Sequence, residues 1–365
     1  MSKLKVIQLL PELNIGGVER GTKDFSSALV QRGHESIVIS NGGIFEHDIV
    51  KDGARHIKIP IHKKSLFSLL LSKKLRTVYE EEKPDIVHVR SRMPAWINFY
   101  AFKGLIKKPI LISTFHGLYS TPVYSKVMSK VDHMIAISNT VKEYIKNTYN
   151  VSNDKISVIP RGCDMDHFNK DQVDNDWINK WFREFPQTKN KIILTLPTRI
   201  SKWKGVDNFI ELISRLDGNV FHGLIVGPTS NSKLRYLNSL KKKISELGIN
   251  KSITFTGSRN DISNIYKISD IVFNLSVDPE PFGRTTIEAI SCGAKFIGWD
   301  HGGTKEILEE LFPNGLVPLG NINALEEKVI KVSDKNYLTP KENVFTSERM
   351  INETINLYHQ LLSTE

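Results

Sequence analysis

Short, nearly continuous apolar runs recur along the chain, with longer segments of helical character between them. In the first half the runs lie at 5–10, 35–40, 85–89, 109–114, 133–138 and 156–160, and in the second half at 191–197, 221–227, 252–257, 270–275 and 294–299. A strand that is apolar at nearly every position is buried on both faces, as in a parallel sheet covered by helices. The pattern predicts an α/β fold, and its restart near residue 190 predicts two doubly wound, Rossmann-like domains in tandem.

The length also indicates two domains, because 365 residues exceed the size at which one hydrophobic core stops growing. We expect a first domain at 1–170, a second at 171–345, and a C-terminal helix within 346–365 that could pack on either domain. The polar, tryptophan-containing segment at 166–190 interrupts the strand rhythm and is the candidate linker.

Composition indicates an ordinary soluble protein. Hydrophobic residues make up 40% of the chain and charged residues 25%, and the longest apolar runs fall short of the roughly 20 residues that cross a bilayer. No secretory signal is readable at the start. The two cysteines, Cys163 and Cys292, lie far apart, which argues against a disulfide framework or a cysteine-rich metal site. We expect a cytoplasmic protein.

Positive charge is concentrated in the first half. Residues 1–165 hold 25 Lys+Arg and 15 Asp+Glu, whereas residues 166–365 hold 25 of each. This asymmetry indicates an anionic partner for the N-terminal half: nucleic acid, a membrane surface or a charged substrate. The alternative is that the lysines serve solubility alone.

Three places in the first half could contact a ligand. Gly16 and Gly17 follow the first run and enter a helix, where backbone amides can approach an anion, although the pair could also be a plain turn. His116 follows the run at 109–114 and could contact a substrate hydroxyl or phosphate, or could be structural. Arg90 and Arg92 follow the run at 85–89 and face either a cleft or solvent.

The second half begins with a basic loop, "TRISKWKG", which carries Arg199, Lys202 and Lys204 into a helix marked by Gly205. Lysines at a helix N-terminus oppose the helix dipole unless an anion compensates. Arginine and lysine together suit a diphosphate, one as a planar fork and the other as a point charge. A solvated basic loop is the alternative.

Two carboxylates flank the turn in "EPFGRTTIEA". Glu288 could form a capping box with Thr285, and Glu280 could simply end a strand. A helix that starts near Thr286 also offers free amides to a phosphate. Carboxylates beside a phosphate repel it unless they reach neutral hydroxyls, and a nucleotide sugar carries hydroxyls on both sides of its diphosphate.

The chain resembles glycosyltransferase family 4 in several segments, which occur in the same order as in that family. Members of the family are retaining enzymes of the GT-B fold, with two Rossmann-like domains facing a central cleft. The matching segments are Gly16-Gly17, "FHG" at 115–117, "IPRGCDMDHF" at 159–168, "TRISKWKG" at 198–205, "EPFGRTTIE" at 280–288 and "GGTKEIL" at 302–308. The resemblance implies transfer of a hexose from a UDP, GDP or ADP sugar, which is a substrate, so that neither a cofactor nor a metal is expected.

The resemblance also implies residue roles. Arg199 and Lys204 would neutralise the diphosphate, Glu280 would hold the hexose near its reacting carbon, and His116 would contact the donor sugar there. Glu288 would accept hydrogen bonds from the ribose. The remaining donor contacts would come from the two turns, at Gly16, Gly17, Phe282, Gly283, Arg284 and Thr285.

In this fold the N-terminal domain binds the acceptor, so the basic first half suggests an anionic or membrane-borne glycan, with Arg90 and Arg92 as candidate contacts. The acceptor could be a lipid-linked glycan or a lipopolysaccharide core. The leucines and lysines of 61–85 could lie on anionic lipid, which would make the protein peripheral to the cytoplasmic membrane, or could form an ordinary amphipathic helix.

Two other functions compete with transfer. One is a nucleotide-sugar epimerase of the same architecture. The other is a basic nucleic-acid-binding protein, but no recognisable binding module is present, so we expect no nucleic acid partner. Pro281 stands where many relatives have glycine and Arg284 adds a cation, which leaves the donor open.

Overall fold

The computed structural model describes residues 2–364 and divides the chain into two compact units. One unit comprises Met1–Pro160 together with Glu348–Glu365, and the other comprises Arg161–Ser347. The structure divides the chain after residues 160 and 347, where the sequence pattern placed the boundaries after residues 170 and 345. The chain passes from the first unit to the second at Pro160, and returns to the first after Ser347.

The first unit is built on a seven-stranded parallel sheet with the order β3-β2-β1-β4-β5-β6-β7. Its strands are β1 Lys5–Leu9, β2 Glu35–Ser40, β3 Arg55–Lys58, β4 Ile86–Val89, β5 Ile110–Phe115, β6 His133–Ala136 and β7 Ile156–Val158. The central strands are buried along almost their whole length, which agrees with helices covering both faces.

Helices flank this sheet on both faces. They are α1 Gly17–Gln31, α2 Glu46–Lys51, α3 Leu71–Glu82, α4 Arg92–Phe102, α5 Pro122–Ser125, α6 Asn139–Tyr149 and, from the end of the chain, α14 Ser347–Ser363; a 3-10 segment, Leu66–Leu70, precedes α3. The helices α1 and α14 share one core with the sheet, in which Phe25 meets Tyr358 edge to face at 6.0 Å. The last helix therefore completes the core of the first unit.

The second unit repeats the plan with six parallel strands in the order β10-β9-β8-β11-β12-β13. The strands are β8 Ile192–Pro197, β9 Phe221–Val226, β10 Ile253–Gly257, β11 Ile271–Asn274, β12 Lys295–Trp299 and β13 Leu316–Val317. Its helices are α7 Asn175–Glu184, α8 Val206–Arg215, α9 Leu234–Glu246, α10 Ile262–Ile268, α11 Arg284–Ser291, α12 Gly302–Leu311 and α13 Ile322–Val332.

The segment interpreted as a linker, 166–190, is instead part of the second unit, so that interpretation was wrong. It contains α7, whose Trp181 is 2% exposed and packs with Phe185, Ile193 and Leu224. The indole N–H of Trp181 donates to Thr188 Oγ1 at 3.0 Å. The outer face of the helix is polar, so the composition of the segment did not indicate that one side of it is buried.

Each sheet has one point at which the strand order reverses. In the first unit the point lies between β1 and β4, which pair in register with Gln8 opposite His88. In the second unit it lies between β8 and β11. Connections leave the carboxyl ends of the two strands in opposite directions there, and open α/β sheets bind ligands in the resulting crevice. Among the described residues, no helix is both long and apolar enough to cross a membrane.

Candidate active site

The reversal point of the second unit brings together the two loops that the sequence singled out. Lys204 lies in the loop after β8 and Glu280 in the loop after β11, and the Lys204 ammonium donates to Glu280 Oε1 in a close ion pair. Both side chains are mostly withdrawn from solvent, with exposures of 18% and 12%. The basic loop is therefore not simply a solvated loop at Lys204.

Glu280 is held by a second donor. Ser276 Oγ donates to the same oxygen, Oε1, at 2.7 Å, and the backbone oxygen of Ser276 accepts a 2.7 Å hydrogen bond from His301 Nε2. Both donors use Oε1, and no residue in the described part of the chain donates a hydrogen bond to Oε2. The Lys204 ammonium lies 4.0 Å from the centre of the Trp203 ring, which fixes its position further.

Gly205 allows the two loops to meet. It has φ +70°, and a Cβ built there would lie 1.8 Å from the carbonyl oxygen of Leu275. The loops are also joined by a backbone hydrogen bond of 2.7 Å from Val277 N to Trp203 O. A side chain at position 205 would push the basic loop away from Glu280, so glycine there sets the distance between the cation and the carboxylate.

The turn after Glu280 leads into the free N-terminus of α11. Gly283, with φ +99°, is the N-cap, and no side chain caps the helix. The predicted capping box of Thr285 and Glu288 does not form. Instead, Glu288 accepts a 2.8 Å hydrogen bond from Arg284 one turn earlier. Thr286 Oγ1 is buried with no hydrogen-bond partner in the described chain, 3.1 Å from where a Cβ of Gly283 would lie.

A second helix N-terminus supports this turn from behind. Gly303, in the first turn of α12, donates its N–H to Glu280 O at 2.7 Å, and a Cβ there would lie 2.4 Å from Phe282 Cα. Phe282 itself is 4% exposed and packs against Phe345 at 6.0 Å. Phe282 therefore anchors the turn, and only its backbone remains to contact a ligand.

Arg199 differs from Lys204. Its side chain is exposed, and it makes no hydrogen bond or ion pair with another described residue. It follows β8 directly, at the same edge of the sheet as Glu280. Its guanidinium is thus a cation at the reversal point that no carboxylate neutralises within the described chain.

The reversal point of the first unit carries the other candidates. Gly16 is the N-cap of α1 in an extended conformation, φ −177°, that any residue can adopt, and Gly17 opens the helix. A Cβ at Gly16 would meet only the end of the flexible Glu19 side chain. Neither the extended backbone of Gly16 nor the space around it therefore requires glycine at this position.

His116 and Arg92 both contact Tyr119. The backbone N–H of His116 donates to Tyr119 Oη at 3.4 Å, while the Arg92 guanidinium lies 4.9 Å from the centre of the Tyr119 ring. Arg92 also donates to Thr121 Oγ1 at 2.9 Å. The segments after β4 and β5 thus place Arg92 and His116 in contact with the same tyrosine.

Arg90 faces neither a cleft nor solvent, contrary to the prediction. It is 6% exposed, its Nε donates to Gln8 Oε1 at 2.8 Å, and its guanidinium packs on the ring of Phe25 at 5.3 Å. Burial lowers its pKa from the ordinary arginine value. Arg90 belongs to the polar part of the core, beneath α1.

The sequence missed several residues that shape the site. Ser276, His301 and Trp203 position Glu280 and Lys204, and Gly303 supports the turn between the carboxylates. The family resemblance includes Gly303 in "GGTKEIL" and Trp203 in "TRISKWKG", but no role was attached to either residue. Serine, histidine and tryptophan at these positions carry no pattern of their own, because their partners lie as far as 25 residues away.

Comparisons with known proteins show the family and the fold of this chain. The family model described as Glycosyltransferase Family 4 matches residues 15–167, and the model described as Glycosyl transferases group 1 matches residues 178–352. A solved glycosyltransferase from Rickettsia africae ESF-5 is 30% identical, covers 100% of both chains and superposes with a TM-score of 0.85.

The chain belongs to glycosyltransferase family 4. Among curated relatives, the UDP-Gal:alpha-D-GlcNAc-diphosphoundecaprenol alpha-1,3-galactosyltransferase of Escherichia coli is 26% identical and covers 98% of this chain and 97% of its own. The N-acetyl-alpha-D-glucosaminyl L-malate synthase of Bacillus anthracis is 23% identical, with coverage of 99% and 98%. The chain is therefore a group 1 glycosyltransferase.

The fold of this glycosyltransferase is GT-B, as predicted. Anabaena HepE, solved in complex with UDP and glucose, is 19% identical, superposes with a TM-score of 0.73 and covers 99% of both chains. At that identity the likeness concerns the fold. Each unit has one parallel sheet with flanking helices. This arrangement and the structural neighbours together establish the architecture.

Proposed function

We propose that this glycosyltransferase moves a hexose, with retention of configuration, from a nucleoside diphosphate sugar to a glycan or lipid-linked acceptor of cell-surface polysaccharide synthesis, such as lipopolysaccharide. The observation that carries the proposal is the cluster of Lys204, Glu280 and Ser276 at the reversal point of the second unit. It combines a withdrawn cation with a carboxylate that has one oxygen left to accept a hydroxyl.

The donor would bind to the second unit. Its diphosphate would lie between Arg199, Lys204 and the free amides at the start of α11, from Gly283 to Thr285, where the helix dipole also favours an anion. The unpartnered Thr286 hydroxyl at that helix start supports a polar ligand there. Glu280 would accept hydrogen bonds from the hexose, and Glu288 from the ribose.

The cations would act mainly in the transition state. Departure of the nucleoside diphosphate builds negative charge on its phosphates, and preorganised cations and amides stabilise that charge more than they stabilise the bound donor. The charge is supplied by Arg199 and Lys204, so the proposed reaction uses no metal. In same-face attack the departing phosphate takes the acceptor proton, and no side chain is assigned as the base.

The first unit would bind the acceptor and complete the donor sugar's contacts. His116 would contact the hexose, the glycine pair at 16–17 would offer amides, and Arg92 would meet the acceptor. Arg90 is left out because it is buried in the core. The excess of positive charge in residues 1–165 and the lipid-linked acceptor in the name of the Escherichia coli relative support an anionic acceptor at the cytoplasmic face of a membrane.

A donor panel tests the reaction. We expect one of the UDP, GDP and ADP sugars to be hydrolysed slowly by the protein alone, without added metal. NMR of the released sugar, recorded before its anomers equilibrate, should show the anomeric configuration of the donor. Isomerisation of the donor without hydrolysis would instead establish an epimerase. Loss of turnover on adding EDTA would overturn metal independence.

Substitutions test the assignment of the donor site. Arg199→Ala and Lys204→Ala should each weaken binding of the nucleoside diphosphate by about tenfold or more, the loss of a charge-assisted contact. Arg235→Ala, an exposed arginine at the start of α9, is the matched control and should change nothing. Equal affinity in all four proteins would show that the diphosphate binds elsewhere.

A further inference from the structure

The first unit contains a cavity of about 750 Å³ to which, apart from Arg92, the proposed transfer chemistry assigns no residue. It lies between the 3-10 segment Leu66–Leu70, the first turns of α4 and residues 120–124, beyond the carboxyl ends of β4 and β5. We call it the aromatic pocket, because three of its lining residues are Trp96, Tyr100 and Tyr124.

The three rings form a continuous apolar wall. Trp96 is central: the rings of Tyr100 and Tyr124 each lie 6.4 Å from it and tilt by only 26° and 29°. Its indole N–H is already used, donating to Tyr124 O at 3.0 Å. Trp96 therefore presents a fixed face without an unused polar atom, which suits a hydrocarbon.

The opposite wall continues into an exposed apolar rim. Leu66 and Leu69 line the pocket, and Leu66, Phe67 and Leu70 are 84%, 83% and 68% exposed. Val123, beside Tyr124 on the other side, is 89% exposed. Single exposed apolar side chains are common on proteins, but several around the mouth of one apolar pocket mark an interaction site.

The charged residues that line the pocket are all basic. Lys64 and Arg92 line it, and none of its described lining residues is acidic. The contacts of Arg92 in the described chain are neutral: the Thr121 and Ser125 hydroxyls and the Tyr119 and Tyr124 rings. A cation held by neutral groups beside an apolar wall is complementary to an anionic amphiphile.

We propose that the aromatic pocket holds the hydrocarbon chain of a lipid phosphate drawn from a membrane, with the phosphate at Arg92 and Lys64 and the apolar rim in the bilayer. This rests on the proposed function, since it makes the acceptor a lipid-linked one. Tyr119 links the pocket to the transfer site, because it contacts both Arg92 and His116. A sugar alone would stack on the rings but would not require the exposed rim.

Three soluble probes test the chemistry by calorimetric titration. Dodecyl phosphate, below its micelle concentration, should bind at least about tenfold more tightly than dodecyl maltoside, which has the same chain and an uncharged head. Inorganic phosphate, which has no chain, should bind more weakly than both. Equal binding of the two dodecyl compounds would overturn the role of the cations, and phosphate binding as tight as that of dodecyl phosphate would overturn the role of the pocket.

Variants locate the binding. Leu66→Ser with Phe67→Ser should weaken flotation with phosphatidylglycerol-containing vesicles by about tenfold, from the apolar area lost. Both side chains are exposed, so the fold should be unaffected, which circular dichroism checks. Ile106→Ser is the matched control: Ile106 is also fully exposed, but it precedes β5, at the opposite edge of the sheet. An equal loss in both variants would contradict the proposal.

A third variant separates lipid binding from transfer. Arg92→Gln retains a donor for Thr121 but removes the charge, and it should abolish the preference of the pocket for dodecyl phosphate over dodecyl maltoside. Donor hydrolysis by the parent protein is measured alongside. Hydrolysis without lipid binding would leave the proposed function standing and remove the pocket proposal, whereas lipid binding without hydrolysis of any donor would do the reverse.

Discussion

Glu280 accepts two hydrogen bonds on one oxygen, one of them from Lys204. A substitution at Glu280 can therefore test its role separately from the role of Lys204. In Glu280→Gln the ion pair is lost and Lys204 is released toward the diphosphate. We expect transfer to fall by about a hundredfold or more, while the affinity for the nucleoside diphosphate stays equal or rises. Steady-state kinetics and calorimetry measure the two quantities. A parallel loss of both would mean that Glu280 supports the phosphate site and not the sugar.

Gly205 and Gly248 provide a matched pair for a stability test. Both have left-handed backbones, at φ +70° and +69°, but a Cβ at Gly248 has nothing within 4 Å, whereas one at Gly205 meets Leu275 O. Gly248→Ala should cost about 1 kcal/mol of unfolding free energy from the backbone alone. Gly205→Ala should cost at least about 2 kcal/mol more, from the clash. Urea unfolding compares them, and equal costs would show that the loops separate easily.

For single residues, the sequence indicated which side chains could contribute to a site, but it did not show the direction in which each side chain points. Lys204 and Glu280 lie close together because the carboxyl ends of the neighbouring parallel strands β8 and β11 share an edge. The capping box that Thr285 and Glu288 could form is not present, because the helix begins at Arg284 and Glu288 then lies too far from the helix start to cap it. The prediction for Arg90 was wrong because a residue directly after β4 can be either buried or exposed. Only the packing of Phe25 and Gln8 decides it.

Among the elements, α14 is attached to the first unit by a buried hydrogen bond as well as by apolar packing. Tyr358 Oη lies 2.6 Å from His88 Nδ1, and His88 Nε2 lies 2.6 Å from Thr114 Oγ1. Tyr358→Phe should therefore lower the unfolding free energy by about 1–3 kcal/mol, because a buried ring nitrogen loses its partner.

The control for this variant is Tyr337→Phe. The Tyr337 ring packs against Phe312, and its hydroxyl makes no hydrogen bond within the described chain. The control should change the unfolding free energy by no more than about 0.5 kcal/mol. If thermal or urea unfolding gave the same small change for both variants, the Tyr358 hydroxyl would contribute nothing to docking of the last helix.

The strands were the most predictable elements, and each of the eleven apolar runs overlaps one. A buried parallel strand needs apolar residues on both faces, and that requirement is visible locally. The strands β3 and β13 were missed because Arg55–Lys58 is largely polar and Leu316–Val317 has two residues. The helix α7 was missed for a related reason: one buried tryptophan face among polar residues reads as a linker.

For the whole molecule, buried histidines predict sensitivity to acid. Burial is the largest cause that lowers the pKa of five of them, in both units: His34, His56, His88, His133 and His222. The pKa of His222 falls to about 4. The unfolded chain therefore binds more protons than the folded one below about pH 6.5, the ordinary histidine value, and stability is lost as the pH falls from there toward 4.

Unfolding free energies at pH 7 and pH 5 measure this effect, and we expect a decrease of at least about 2 kcal/mol. Carboxylates with a lowered pKa, such as Glu82 beside Arg55, stay charged in this window and act only at lower pH. His222→Gln should flatten the dependence, whereas His47→Gln, at an exposed position, should leave it unchanged. A flat profile in the parent protein would contradict the prediction.

The return of α14 to the first unit also sets the order in which the protein is built. The ribosome makes residues 1–160 before residues 161–347, yet the core of residues 1–160 lacks Ile351, Ile355 and Tyr358 until α14 has been synthesised. Residues 161–347 are complete earlier and can fold on the nascent chain as a unit. The unit that is synthesised first is thus finished last, and during synthesis its incomplete apolar face is open to chaperones.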